Sequence, residues 1–234
     1  MPRLAAARET QLTRLEIAAE ALRQFDARPT EPSMRSLAAA LHVAPTAIYH
    51  HFPSRAAIFQ AAVELVWNEA MAETLCLVPA PLQADPVDVL VAIGVATRRA
   101  WLAHHRVARF MAATPESTAF TRTALGFIAG LLERLQLDDE QLVTAFHSYS
   151  SFMVGAVLFA ADRKTANEQL AEGRGATAKA PRSPAATPSV ASAATHDVLT
   201  TLLNLSTTDP ARDERLFETG LRRLVVSLSG EKRP

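Results

Sequence analysis

The residues best able to do chemistry sit close together. Thr46, Tyr49 and His50 fall within Pro45-Thr46-Ala47-Ile48-Tyr49-His50-His51. Hydroxyls and an imidazole on a helix this short make a hydrogen-bonding surface, of use to a reader of DNA edges and of little use to an enzyme. The usual signs of covalent or phosphate chemistry are missing. There is no GxSxG, no GxGxxG or P-loop and no CxxC, and Gly94, Gly126, Gly130 and Gly155 fall inside expected helices. His104 and His105 are adjacent and so face different ways on a helix, and no HxxxH with a carboxylate supplies metal-ligand spacing. Neither a cofactor nor a metal is expected.

Two short helices and a turn must position that surface. Met34, Leu37, Ala38 and Leu41 repeat at i, i+3, i+4, i+7, and Ser33 is placed to cap the helix they define. His42-Val43-Ala44 interrupts the pattern, and Pro45 opens a second helix where its missing N–H costs nothing. That helix ends near His51, and Phe52-Pro53-Ser54 closes it before Arg55 starts another. The result, over about residues 33–52, is a helix-turn-helix whose second helix fits a major groove. Val43, Ile48 and Phe52 anchor that helix inward, which leaves Thr46, Ala47, Tyr49 and His50 on the outside.

The stretch Leu37 to Phe59, LAAALHVAPTAIYHHFPSRAAIF, resembles the signature of the TetR (tetracycline repressor) family, with Ile48-Tyr49-His50-His51-Phe52-Pro53-Ser54-Arg55 as its closest part. The resemblance extends over about residues 13–66. Near the other end, Arg215 to Leu224 is similar to the start of the last helix in tetracycline-repressor-like members. The resemblance implies a ligand-responsive DNA-binding regulator, most often a repressor that a small molecule releases from a near-palindromic operator, acting as a homodimer in the cytoplasm. It gives Tyr49, Arg55 and Ser33 phosphate contacts, and Arg35 a bidentate pair with guanine. Thr46 and His50 would meet base edges, Ala47 a thymine methyl, and Pro45 the duplex surface. The competing accounts are a solvated helix position for Arg35 and a phosphate contact instead of a base for His50. This chain departs from the family pattern twice. His42 stands where a turn glycine is usual, and Ala44-Pro45 replaces a polar pair.

The remaining sequence reads as all α. A first helix over about Thr13 to Asp26 carries Leu15, Ala18, Ala19, Leu22 and Phe25 on one face, and a fourth runs from Arg55 to about Met71. Asp85-Pro86 caps a fifth with the stripe Leu90, Ile93, Thr97, Ala100, Trp101 and His104, followed by a short helix over Arg106 to Ala112. Later helices are marked by Phe120 to Leu135, by Asp138-Asp139-Glu140 onward, by Asp197 to Leu205, and by Asp209-Pro210 onward. Residues 1–67 are expected to form the DNA-binding domain and 68–234 a ligand-binding and dimerisation domain. Thr97, Trp101, His104, Phe127, Phe146, His147, Tyr149 and Ser150 are candidate ligand contacts, because polar groups beside apolar stripes need partners. Ordinary core packing is the competing account of each. The helix from Asp138 is apolar on one face and small on the other, as close approach of a second subunit would require. Residues 172–195, rich in Ala, Pro, Ser and Thr, read as a loop, either a plain linker or a gate.

Bulk properties narrow the field. In 234 residues, hydrophobic content of 49% with 21% charged is globular, and the zero net charge excludes a histone-like binder while allowing a local basic patch. A single cysteine, Cys76, suits a reducing compartment. The longest apolar run, Phe152 to Ala161, is about half of what a bilayer needs, and MPRLAAARET has no signal-peptide core, so no membrane is expected. The alternative is a helical ligand-binding or protein-interaction module that does not bind DNA.

Overall fold

The computed structural model describes residues 12–28, 30–108, 119–175 and 209–229. In order, the helices are α1 (Arg14–Ala27), α2 (Met34–Leu41), α3 (Pro45–His51), α4 (Arg55–Leu77), α5 (Pro86–Ala103), α6 (Ala119–Glu133), α7 (Asp139–Gly175) and α8 (Pro210–Leu228). No strand occurs among the described residues.

Each boundary has a local cause. Thr13 and Glu16 form a reciprocal capping box at the start of α1, and Ser33 and Ser36 form another at the start of α2. Ser54 Oγ accepts from the Ala57 N–H at 3.2 Å, Asp85 Oδ1 from Val87 at 2.7 Å and Asp209 Oδ1 from Ala211 at 3.0 Å. Asp138 and Gln141 cap α7 reciprocally. Pro45, Pro86 and Pro210 each occupy the first turn, where a proline forfeits no helical hydrogen bond.

α5 is the axis of the larger part. It packs against α4, α6, α7 and α8, and every residue from Val89 to Arg98 is buried. Gly94 permits this crowding. A Cβ there would overlap Leu221 Cδ2 of α8 and lie 3.2 Å from Met153 Sδ of α7, so three helices converge where one side chain is missing. α4 is shared: its first half packs on α1 and its second half on α5, with Ile58, Ala62, Val66 and Ala70 buried along its length.

Three expectations change. The buried face of α1 is Ile17, Ala18, Ala21, Leu22 and Phe25, while Leu15 is 63% exposed and Ala19 is also exposed. α4 runs to Leu77, a turn and a half beyond Met71. α7 continues through Gly175, so residues 172–175, expected in a loop, are helical. The rest of that loop, the helix expected over 197–205, and residues 109–112 lie outside the described residues.

α7 is long and apolar enough to cross a membrane by length and composition, although only 22% of its most apolar window is buried. Tyr149, Met153, Val157, Ala160 and Ala161 line the core, whereas Val143 and Phe159 are each 69% exposed and Gly155 is open to its surroundings. Among the described residues, one face is therefore packed and the other is not.

A candidate DNA-reading surface joined to a helical body

α2 and α3 are held by the residues that the sequence places inward. Leu37, Ala38, Ile48 and Phe52 are buried, and Val43 is half-buried against them. The turn between the helices has a backbone cost. His42 caps α2 in the left-handed region, at φ 56° and ψ 40°, and its N–H reaches the carbonyls of Ala38 and Ala39. A side chain in that region costs roughly 1–2 kcal/mol, and only part of this returns through glycine's greater unfolded-state entropy. His42→Gly is therefore expected to stabilise the protein by about 0.5–1 kcal/mol, read as a higher midpoint in urea denaturation with unchanged slope.

The exposed face of the motif carries Ser33, Arg35, Pro45, Thr46, Tyr49 and His50, with Tyr49 53% exposed. Ala47 departs from the expectation. It is only 6% exposed and packs inward beside Ile48, because two successive residues of this short helix face the core. Its methyl is thus not available to a thymine. Ser33 Oγ accepts from the Ser36 N–H at 3.0 Å, which leaves the Ser33 hydroxyl hydrogen to donate elsewhere. Arg55, exposed at the start of α4, pairs with Glu31 at 3.1 Å, and its guanidinium carbon lies 5.5 Å from the Phe59 ring centroid. A phosphate would have to compete with that carboxylate.

Sequence reasoning passed over Arg14. Its guanidinium lies 4.1 Å from the Phe52 ring centroid, and its Nη1 donates to the His51 carbonyl. It braces the C-terminal end of α3 from α1, a cation–π contact between residues far apart in sequence. No local spacing signals it.

In the body, Thr97 and Trp101 lie one turn apart on α5. Both are buried, at 2% and 0% exposure, and neither the Thr97 Oγ1 nor the Trp101 Nε1 has a hydrogen-bond partner among the described residues. Trp101 meets Trp67 of α4 edge to face, with centroids 5.8 Å apart. Phe127 on α6 and Phe146 and Ser150 on α7 are half-buried, and the two phenylalanines pack against the core. The other candidates differ from expectation. Tyr149 is buried with its hydroxyl donating to the Leu90 carbonyl at 2.8 Å, and burial pushes its phenol well above the usual range, so it is a satisfied core residue. His147 is exposed, away from Thr97 and Trp101 in the core. His104 is the C-cap of α5, where the helical stripe ends, and its ring lies between two carboxylates. A surface cleft of about 470 Å³, between the start of α7 and the end of α8, is lined by Asp138, Glu140, Gln141, Thr144, Ser227 and Leu228 and includes none of the expected contacts.

A two-helix reader on a helical body defines a class of one-chain DNA-binding regulators. Residues 17–62 match the family described as bacterial regulatory proteins, tetR family, and residues 78–229 match the tetracyclin repressor-like C-terminal domain. The chain belongs to the tetR family and is a helix-turn-helix transcriptional regulator. Solved structures share the fold at low identity. The regulator SCO7222 of Streptomyces coelicolor is 18% identical with a TM-score of 0.67, over 95% of this chain and 100% of that one. Apo ActR from the same organism is 22% identical with a TM-score of 0.67, over 94% and 97%. A variant of the TetR of Acinetobacter baumannii AYE, in complex with minocycline, is 23% identical with a TM-score of 0.60, over 95% and 98%. No curated protein matches the chain in sequence.

Proposed function

We propose that the chain is a repressor whose two-fold dimer binds a near-palindromic operator and is released by a small molecule held in the body. The observation that carries the DNA half is the exposed row Arg35, Thr46, Tyr49 and His50 on a motif whose inward residues are all buried or half-buried. Tyr49 and Ser33 are phosphate contacts in this reading, Arg35 reads a guanine, and Thr46 and His50 meet base edges. Arg55 joins them once phosphate displaces Glu31. The division near residue 67 falls within α4, which belongs to both halves.

The effector half rests on Thr97 and Trp101. A buried donor without a partner costs about 1–3 kcal/mol, and a ligand acceptor in reach of the Trp101 N–H removes that cost. Protein structures of the same fold have been solved with minocycline and with actinorhodin, which supports a small-molecule effector for this chain. The open face of α7, with Val143 and Phe159, is the surface that a second copy would cover. DNA as target places the protein in the cytoplasm.

The test is fluorescence anisotropy on the DNA flanking the protein's own gene. Tyr49→Ala is expected to weaken binding on all sequences with little change in the salt slope, because a neutral hydroxyl releases no counterion, whereas Arg35→Ala relaxes preference at one base at a cost of about 1–3 kcal/mol. Binding that neither substitution alters would sink the assignment of this surface.

A further inference from the structure

The turn that follows α5 is gripped from three sides. His104 Nδ1 lies 2.8 Å from Asp26 Oδ2, in the last turn of α1, and His104 Nε2 lies 2.9 Å from Glu69 Oε2 on α4. Arg106 donates to the Asp26 carbonyl through Nη1 and to Glu168 of α7 through Nη2, at 2.8 Å for the latter. His105 Nε2 is 3.1 Å from the same Glu168 carboxylate, and Lys164 Nζ donates to the Leu102 carbonyl at 2.8 Å. One turn along α4 from Glu69, Glu73 is held by Arg99 at 2.7 Å. The helix that starts the DNA-reading domain, the helix that leaves it and the longest helix of the body therefore meet around His104.

The ring's chemistry makes this junction conditional. An ionised carboxylate only accepts hydrogen bonds, and a neutral imidazole carries one donor and one acceptor. Only the imidazolium can donate to Asp26 and Glu69 together. A neutral ring sets a lone pair against one carboxylate and must give up that contact. Glu69 is 53% exposed at its side chain against 34% for Asp26, so Glu69 has the easier retreat into water.

We propose that His104 is a positioning residue, a proton-operated latch that ties the helix-turn-helix to the body and so sets the posture in which it meets DNA. Its titration agrees with the geometry. The hydrogen bond to Asp26 raises the His104 pKa above the ordinary 6.5, burial opposes this, and the Asp26 and Glu69 charges add to the rise. The latch is closed below 6.5 and opens as pH climbs through the higher folded-state value. His105 beside it behaves oppositely, because burial lowers its pKa despite Glu168.

The protein's two tryptophans, Trp67 on α4 with Glu69 and Trp101 on α5, which His104 caps, report on the junction without DNA. Emission of the full-length protein would be followed from about pH 5.5 to about pH 8.5, where histidine is the side chain that ordinarily titrates. The wild type should show a transition centred above 6.5, His104→Gln should lack it, and Glu69→Gln should move it to lower pH. Operator affinity over the same range should vary in the wild type about fivefold more than in His104→Gln. A fluorescence transition that persists unchanged in His104→Gln overturns the latch. So does an operator affinity with the same pH profile in both proteins. The affinity arm rests on the operator reading above. A wild-type fluorescence transition with no specific DNA binding at any pH would overturn that reading and leave the latch standing.

Discussion

Asp213→Ala is expected to destabilise the protein by about 3–5 kcal/mol, the cost of stranding a buried charge. Arg98 is the charge. It lies on α5 at 5% exposure, its Nη2 is bonded to Asp213 Oδ2 of α8, and its guanidinium carbon is 5.0 Å from the Phe217 ring centroid. Arg163 of α7 donates to the same oxygen at 2.7 Å, so one carboxylate ties three helices. Burial pushes the Asp213 carboxyl up, but Arg163 and Arg98 more than offset this and hold it below its ordinary 3.8. The pairing therefore supports the fold above that pH and is lost as pH falls through the lower folded-state value. Urea denaturation at fixed protein concentration measures the cost, since the proposed dimer would also contribute to apparent stability. The double substitution Arg98→Met, Asp213→Leu should recover part of it, because the buried Arg98 charge is gone while Arg163, 26% exposed, still reaches water. A loss below about 1 kcal/mol in Asp213→Ala would mean that Arg98 is hydrated, as in a surface pair.

Phe52→Ala should cost about 3–5 kcal/mol for a different reason, the emptied volume of a buried aromatic ring. Phe52 is fully buried, ends α3 with its N–H on the Ile48 carbonyl at 2.9 Å, and carries the Arg14 guanidinium over its face. Removing the ring takes away both the floor beneath α3 and the site of its brace. Amide hydrogen exchange in α1 to α3 should accelerate, with little change in α5 and α8, and operator binding should be lost with it. Tyr49→Ala is the contrast. Tyr49 is exposed, so its loss should leave stability within about 0.5 kcal/mol while weakening DNA binding. Equal exchange rates in Phe52→Ala and wild type would show that the reader does not depend on this anchor.

The two variants also mark what could be read from the sequence. The reader was legible because its determinants are local: Ser33 caps one helix, Pro45 starts the next, and Ile48 and Phe52 lie one turn apart. The capped starts of α5 and α8 were legible for the same reason. The buried face of α1 was not. The stripe with Leu15 and Ala19 and the stripe with Ile17 and Ala21 share Ala18, Leu22 and Phe25, and only packing against α4 decides between them. Ala47 turned inward on the same grounds. His104 continued an apolar periodicity in the sequence, yet the partners that define it lie 78 and 35 residues away. No local spacing marks Arg98, whose partner Asp213 lies 115 residues later. Tyr149 reads from the sequence as a candidate ligand contact because the Leu90 carbonyl that satisfies it belongs to another helix.

α4 is one unbroken rod from Arg55, beside the reader, to Leu77, at the exposed far end of the body. At 1.5 Å per residue it is roughly 34 Å long, and about 5° of tilt at one end sweeps the other by roughly 3 Å. In a two-fold pair the arms swing in opposite senses, so their tips part or close by roughly 6 Å, close to two base-pair steps of 3.4 Å. A rod with a hinge would absorb such a motion. This one has no proline or glycine along its length, so in the proposed dimer it would act as a lever, delivering a sub-ångström repacking near its fulcrum as a misfit in spacing at the far end.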